Sequence, residues 1–175
     1  MLRLDPDDFA LVDERLMVRP ETPGDLDFLE RLYATTRADE LALAGWNRAQ
    51  QAAFIHQQFT AQHAHYRKHF PDAGFWLLEL DGGRAGRLYL HPRSDEIRLI
   101  DIALLPEWRG RGIGGALLRR LLERAGAAGL PVRLHVEPDN PAARLYGRLG
   151  FCGVEDRGVY RFMEWLPKPA DSGLR

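Results

Sequence analysis

Arg109-Gly110-Arg111-Gly112-Ile113-Gly114-Gly115 is the stretch on which the fold turns. The residues before it, Asp95 to Leu105, read as a strand. Ile97, Leu99 and Ala103 lie on one face by strict alternation, and Ile100, Ile102 and Leu104 on the other. A strand apolar on both faces sits mid-sheet, covered on both sides. The residues after it read as a helix from about Gly112 to Ala128, with Leu117, Leu118, Leu121 and Leu122 as its apolar stripe. Glycines at the junction let the backbone come close to a ligand. The free N–H groups and positive dipole end of the helix then favour a phosphate. Arg109 and Arg111 can add charge. The local physics points to a phosphate or pyrophosphate ligand.

Downstream, Val132 to Glu137 reads as a strand. A helix follows, capped by Asn140 with Pro141 at its first position and stopped by Gly150. Two short strands, about Gly153 to Asp156 and Val159 to Trp165, close the pattern. Upstream, Arg15 to Arg19 is a first strand, and Thr22-Pro23 opens a helix bearing Leu26, Leu29, Leu32 and Tyr33. A second helical region spans Asn47 to Phe70. Its His56, Gln57, Gln58, Gln62, His63, His65 and His69 belong either to a solvated surface or to a substrate cleft. Phe75 to Leu80 and Gly86 to Leu90 form a hairpin around Asp81-Gly82-Gly83. The organisation expected is an N-terminal extension (1–14), one domain (15–166) and a frayed tail from Pro167. The class is mixed α/β (α+β), with antiparallel hairpins first and a βαβ crossover after them.

Bulk numbers narrow the function. With 24 basic and 25 acidic residues, a general grip on nucleic acid or anionic membrane is not expected. One cysteine, Cys152, excludes an internal disulfide and reads as a small buried apolar residue. No apolar run is long enough to span a bilayer, and the acidic, proline-broken start is not a signal peptide, so cytoplasmic residence is the expectation. No cluster of His, Cys and carboxylates has metal-ligand spacing, so no metal is expected.

Gly110-x-Gly112-x-x-Gly115 also matches the dinucleotide fingerprint, with Glu137 placed where a ribose-binding acid would stand. Three features weigh against that reading. Pro106 to Arg109 separate strand from glycines, about a hundred residues precede the motif, and only about 60 follow, too few for the second half of a doubly wound sheet.

Leu104 to Gly114 resembles the signature of the GNAT superfamily of acyl-CoA acyltransferases, with Arg109, Gly112 and Gly114 at its fixed positions. The block Asn140-Pro141-Ala142-Ala143-Arg144-Leu145-Tyr146-Gly147-Arg148-Leu149-Gly150-Phe151 resembles the family's second motif. The resemblance implies a mostly antiparallel central sheet, splayed open at a parallel strand pair and flanked by helices. It implies acetyl-CoA as co-substrate, its pantetheine arm paired with Ile102, Ala103 and Leu104. Its pyrophosphate would lie on amides from Arg109 through Gly110, Arg111, Gly112, Ile113 and Gly114 to Gly115, and Asn140 and Ala143 would face the arm. It implies transfer of an acetyl group to a small-molecule or peptide amine. A non-catalytic acyl-CoA-binding domain is the alternative, and homodimers are common in the family.

Transfer needs a neutral amine, donors for an oxyanion and a proton for the leaving thiolate. Tyr146, set beside the sulfur by the resemblance, is the candidate acid. Asp101, the odd residue in an apolar strand, is the candidate base or else a structural carboxylate. Glu96, Glu137, His135 and His91 remain open as bases, as does a water chain. Trp46, Tyr66, Phe70 and Trp76 could wall an aromatic pocket or serve as core.

Overall fold

Among the described residues, seven strands form one sheet in the order β1-β2-β3-β4-β5-β7-β6. They are β1 (Leu16–Pro20), β2 (Gly74–Leu80), β3 (Gly83–Pro92), β4 (Ile97–Leu104), β5 (Val132–Val136), β6 (Cys152–Asp156) and β7 (Arg161–Trp165). The helices are α1 (Leu26–Thr36), α2 (Ala38–Leu43), α3 (Arg48–His69), α4 (Ile113–Ala128) and α5 (Ala142–Arg148). The structure is a computed structural model and describes residues 2–169; the far end of the expected frayed tail, 170–175, lies outside the described residues. No helix among those residues is long and apolar enough to cross a membrane. Every strand pair is antiparallel except β4 with β5.

The local chemistry expected at the second long helix and at the hairpin turn holds, whereas the helix expected to open at Thr22-Pro23 begins there with a 3₁₀ turn (Pro23–Asp25) and becomes α-helical only at Leu26. Asn47 caps α3, its side chain accepting from the Gln50 N–H. Asp81 and Gly82 both take positive φ, as a tight hairpin turn requires. The short α2 was not foreseen. Its six residues follow α1 after a single residue, Arg37, and bury none of their number, so no apolar stripe betrays it.

Among the described residues, two apolar cores lie on opposite faces of the sheet. The larger joins Ile97, Leu99, Leu104, Val132 and Leu134 to Leu117, Leu118 and Leu121 of α4. At roughly 1.5–3 kcal/mol per buried aliphatic side chain, those three leucines anchor α4 firmly. Leu4 and Phe9, from the N-terminal segment, complete this core. The smaller core joins Phe28, Leu29, Leu32 and Tyr33 of α1 to Ile55 and Phe59 of α3 over Leu77.

The face assignment read from strict alternation in β4 needs correcting. Tyr89 pairs with Asp101 and Leu90 with Leu99, so Ile100 is an extra residue in a β-bulge. The bulge shifts the alternation by one. Ile102 and Leu104 join Ile97 and Leu99 against α4, while Ala103 turns to the α1–α3 side. Cys152 also departs from expectation. It is exposed on β6, an edge strand whose five residues are all exposed, so no core is there to receive it.

The candidate acyl-transfer cleft

β4 and β5 run side by side for only three paired positions, Ile97 to Leu99 against Val132 to Leu134. β4 then continues to Leu104 and β5 to Val136 without pairing. Residues Ile100 to Ala103 are consequently only half-buried although they lie in the middle of the sheet. The gap leaves one edge of β4 free to pair with an extended ligand.

The glycine loop sits at the head of this gap. Gly110 and Gly112 have φ of +70° and +83°, and no atom of the described residues stands within 4 Å of where a Cβ would be at either. These left-handed positions turn the chain from the Pro106–Trp108 3₁₀ turn into α4. Among the described residues, none of the six backbone N–H groups from Gly110 to Gly115 donates to a protein acceptor; the first helical bond is from Ala116 to the Gly112 carbonyl. Six free amides at the start of a sixteen-residue helix form a strong anion seat.

Arg109 is placed differently from the expectation. Its own N–H donates to the Pro106 carbonyl. Its Nε donates to the Leu104 carbonyl (2.8 Å) and its Nη2 to Thr35 Oγ1 (2.8 Å). Arg109 therefore ties the loop to the end of β4 and to α1. Arg111 lies over the Trp108 ring, 5.1 Å from its centroid.

On the opposite side of the gap, Asn140 Oδ1 accepts from the Ala142 N–H (2.9 Å), as the cap reading requires. Ala143 is half-buried in the first turn of α5. Tyr146 is buried, its ring meeting Phe151 edge-on at 5.6 Å. Burial, reinforced by the negative charge of Asp101, pushes the Tyr146 hydroxyl well above the usual phenol range.

Asp101 is held from two sides. Its Oδ2 accepts from Arg87 Nη2 (2.5 Å) and from the Tyr66 hydroxyl (3.2 Å). Oδ1 has no hydrogen-bond partner among the described residues. Arg87 is 3% exposed, and its Nη2 also reaches Gln62 Oε1 (2.9 Å), which brings α3 into the cluster. Burial raises the Tyr66 hydroxyl strongly, with Asp101 adding to it. Sequence reasoning missed Arg87. Its signal was available: a lone charge in the apolar run Ala85 to Leu90, one strand away from the lone charge at Asp101.

The other candidate bases are engaged elsewhere. Glu96 is buried beneath Arg98 (2.9 Å) and Arg133 (2.8 Å). Glu137 pairs with Arg37 (3.1 Å). His135 lies against Phe162 and Arg98. His91 packs against Phe70, and its buried Nδ1 has no partner among the described residues. Of the four aromatics considered for a pocket, Trp76 packs on Phe9 in the larger core, across the sheet from Tyr66. Trp46 is 40% exposed and meets Phe54. Tyr66 and Phe70 meet edge-on. No group of three His, Cys, Asp or Glu among the described residues could hold a metal ion.

The family model for the acetyltransferase (GNAT) family matches residues 29–151, well over half of the chain and the segment that carries both the gap and the free amides. The chain belongs to the GNAT acetyltransferase family. This GNAT domain is similar to the mycothiol acetyltransferase of Streptomyces griseus, with 34% identity over 131 residues, 67% of the chain and 42% of that protein. It is similar also to the L-2,4-diaminobutyric acid acetyltransferase of Nocardia farcinica, with 31% identity over 63% of the chain and 60% of that enzyme. The chain thus spans less than two thirds of the length of either relative. Among solved structures, the PaiA N-acetyltransferase of Thermoplasma acidophilum, in complex with coenzyme A, shares the fold at a TM-score of 0.65 and 18% identity, over 86% of this chain and 98% of that one.

Proposed function

We propose that this GNAT domain moves an acetyl group from acetyl-CoA to a primary amine by direct attack in a ternary complex. The observation that carries the reading is the run of free amides from Gly110 to Gly115 at the head of a gap between parallel strands. Those amides are the seat for a pyrophosphate, and the edge of β4 at Ile102, Ala103 and Leu104, which β5 leaves unpaired although Arg109 holds the Leu104 carbonyl, is the track for the pantetheine arm. Asn140 and Ala143 bound the arm from α5. That PaiA was solved with coenzyme A, and that the curated relatives are acetyltransferases, supports the same choice of donor.

The nitrogen of the neutral amine forms its bond to the thioester carbon, and the proton it sheds as the bond forms passes to Asp101 Oδ1, the carboxylate oxygen that Arg87 and Tyr66 leave free. The tetrahedral intermediate then collapses and the carbon–sulfur bond breaks. The proton gained by Asp101 equals the one the thiolate requires, so the cycle is proton-neutral. Tyr146, its hydroxyl kept protonated by burial, donates a hydrogen bond to the departing sulfur. Complete proton transfer from so weak an acid to a thiolate, whose conjugate acid lies near 8.5, is uphill. Its role is hydrogen-bond donation, with the net proton arriving from Asp101 or water.

The test is thiol release from acetyl-CoA against amino acids, polyamines, aminoglycosides and peptides, beside calorimetry with coenzyme A. Turnover with at least one amine supports the reading. Tight coenzyme binding without turnover on any amine selects the non-catalytic alternative, and absence of coenzyme binding removes both.

A further inference from the structure

We infer that the last turn of α1 is a clasp that fixes how far the ends of β4 and β5 stand apart, with Arg37 and Glu137 as its adjustable arm. Two side chains, two residues apart, reach opposite banks of the gap. Thr35 Oγ1 accepts from Arg109 Nη2 (2.8 Å), and Arg109 Nε donates to the carbonyl of Leu104, the last residue of β4. Arg37 Nη2 and Nη1 donate to the two carboxylate oxygens of Glu137 (3.1 and 3.3 Å), the residue just beyond β5. The strands no longer hydrogen-bond to each other there, so this turn is the direct polar link between their ends among the described residues.

The clasp is anchored where it meets α1. Thr35 Oγ1 donates to the Leu32 carbonyl (2.7 Å), which holds its rotamer. Arg37 Nε donates to the hydroxyl of Tyr33, a residue 3% exposed, and the guanidinium lies 5.4 Å from that ring's centroid. A cation at the C-terminal end of α1 also suits the helix dipole. Glu40 shares Arg37 Nη1 at 2.9 Å.

The arrangement is not explained by stability. The Arg37 and Glu137 side chains are 22% and 42% exposed, and ion pairs of that exposure contribute little to folding. What the pair controls is width. An amine and a thioester must meet at near-contact distance, and a misplacement of about 1 Å costs roughly 100-fold in rate. Arg37 and Glu137 are thus positioning residues for the reaction proposed above, and the functional half of the inference rests on that reading.

The experiment compares Arg37→Gln, Glu137→Gln and the double variant with wild type. Each single variant is expected to lower kcat roughly tenfold or more, to leave the coenzyme A Kd within about threefold and to shift Tm by less than about 4 °C. Amide hydrogen exchange should quicken at residues 136–140 and at the α1–α2 junction. Because Glu137 acts through Arg37, the double variant should be no worse than Arg37→Gln alone, which also loses the contacts to Tyr33 and Glu40. Multiplying losses in the double variant, or wild-type exchange and wild-type kcat in both singles, overturns the clasp. If wild type acetylates no amine, the proposed function falls, and the exchange measurements alone still decide the clasp.

Discussion

Arg87 Nη2 stands 2.5 Å from Asp101 Oδ2, joining the one charge in the apolar middle of β3 to the one in the apolar middle of β4. Arg87 is buried, whereas the Asp101 side chain keeps 18% of its exposure. A buried guanidinium stripped of its partner costs roughly 3–5 kcal/mol. Asp101→Asn is expected near the low end of that range, because the amide oxygen still accepts from Arg87. It should also lower kcat/KM by about 100-fold or more and flatten the rise of kcat/KM with pH. Denaturant titration and a pH–rate profile separate the two effects. A destabilised variant with the wild-type pH profile would leave Asp101 a purely structural carboxylate.

Tyr146→Phe removes a hydroxyl and keeps the ring that packs on Phe151. Folding should therefore change by less than about 1 kcal/mol, since the hydroxyl has no hydrogen-bond partner among the described residues. Coenzyme A affinity should hold within a fewfold, while kcat falls by roughly 10²-fold. Stopped-flow thiol release alongside calorimetry measures both. An unchanged kcat would take Tyr146 out of the chemistry.

The order of elements and the glycine loop were legible because each rests on local chemistry: apolar periods, capping residues, and glycines at turns. The gap between β4 and β5 was reached only through resemblance, because strand divergence depends on which backbone groups stay unpaired, and no side-chain pattern reports that. The bulge at Ile100 was invisible for a related reason. Ile100 is as apolar as its neighbours, so the shift from Ala103 to Ile102 and Leu104 on the α4 face leaves no mark in composition. Arg37 and Glu137 are 100 residues apart, and their meeting is tertiary throughout. Arg109 was read as a phosphate ligand from its charge, and its engagement with Leu104 and Thr35 follows from packing of α1 that sequence does not display.

Gly112 is the residue on which the amide seat turns. At φ +83° an alanine incurs roughly 1–2 kcal/mol of strain, although none of the described residues would touch its Cβ. Gly112→Ala is therefore expected to lower Tm by a few degrees. Relief of that strain would rotate the amides at the start of α4, so coenzyme A affinity should fall more than about tenfold, a loss of roughly 1.4 kcal/mol. Thermal melts and calorimetry test the pair of effects. Affinity equal to wild type would mean that the pyrophosphate lies elsewhere.

Acid should unfold this domain through Asp25 and Glu96. Hydrogen bonds from Arg19 hold the fully buried Asp25 far below the usual carboxylate range, against the upward push of burial. Burial of Glu96 would raise it, but hydrogen bonds from Arg133 and Arg98 outweigh that and leave it lowered. Both folded-state values are depressed, so the stability they confer is present above the unfolded values near 3.9 and 4.3 and is lost as pH falls toward the folded ones. Below about pH 4.5 the unfolded chain takes up these protons first, and Tm should drop steeply. Asp25→Asn strands Arg19 and Arg84 without their shared carboxylate, and should cost about 3 kcal/mol at pH 7. The variant lacks the proton uptake, so the gap between its Tm and that of wild type should narrow steadily from pH 4.5 to pH 3. Two Tm curves that stay parallel across that interval would show that Asp25 is not the group whose protonation loosens the fold.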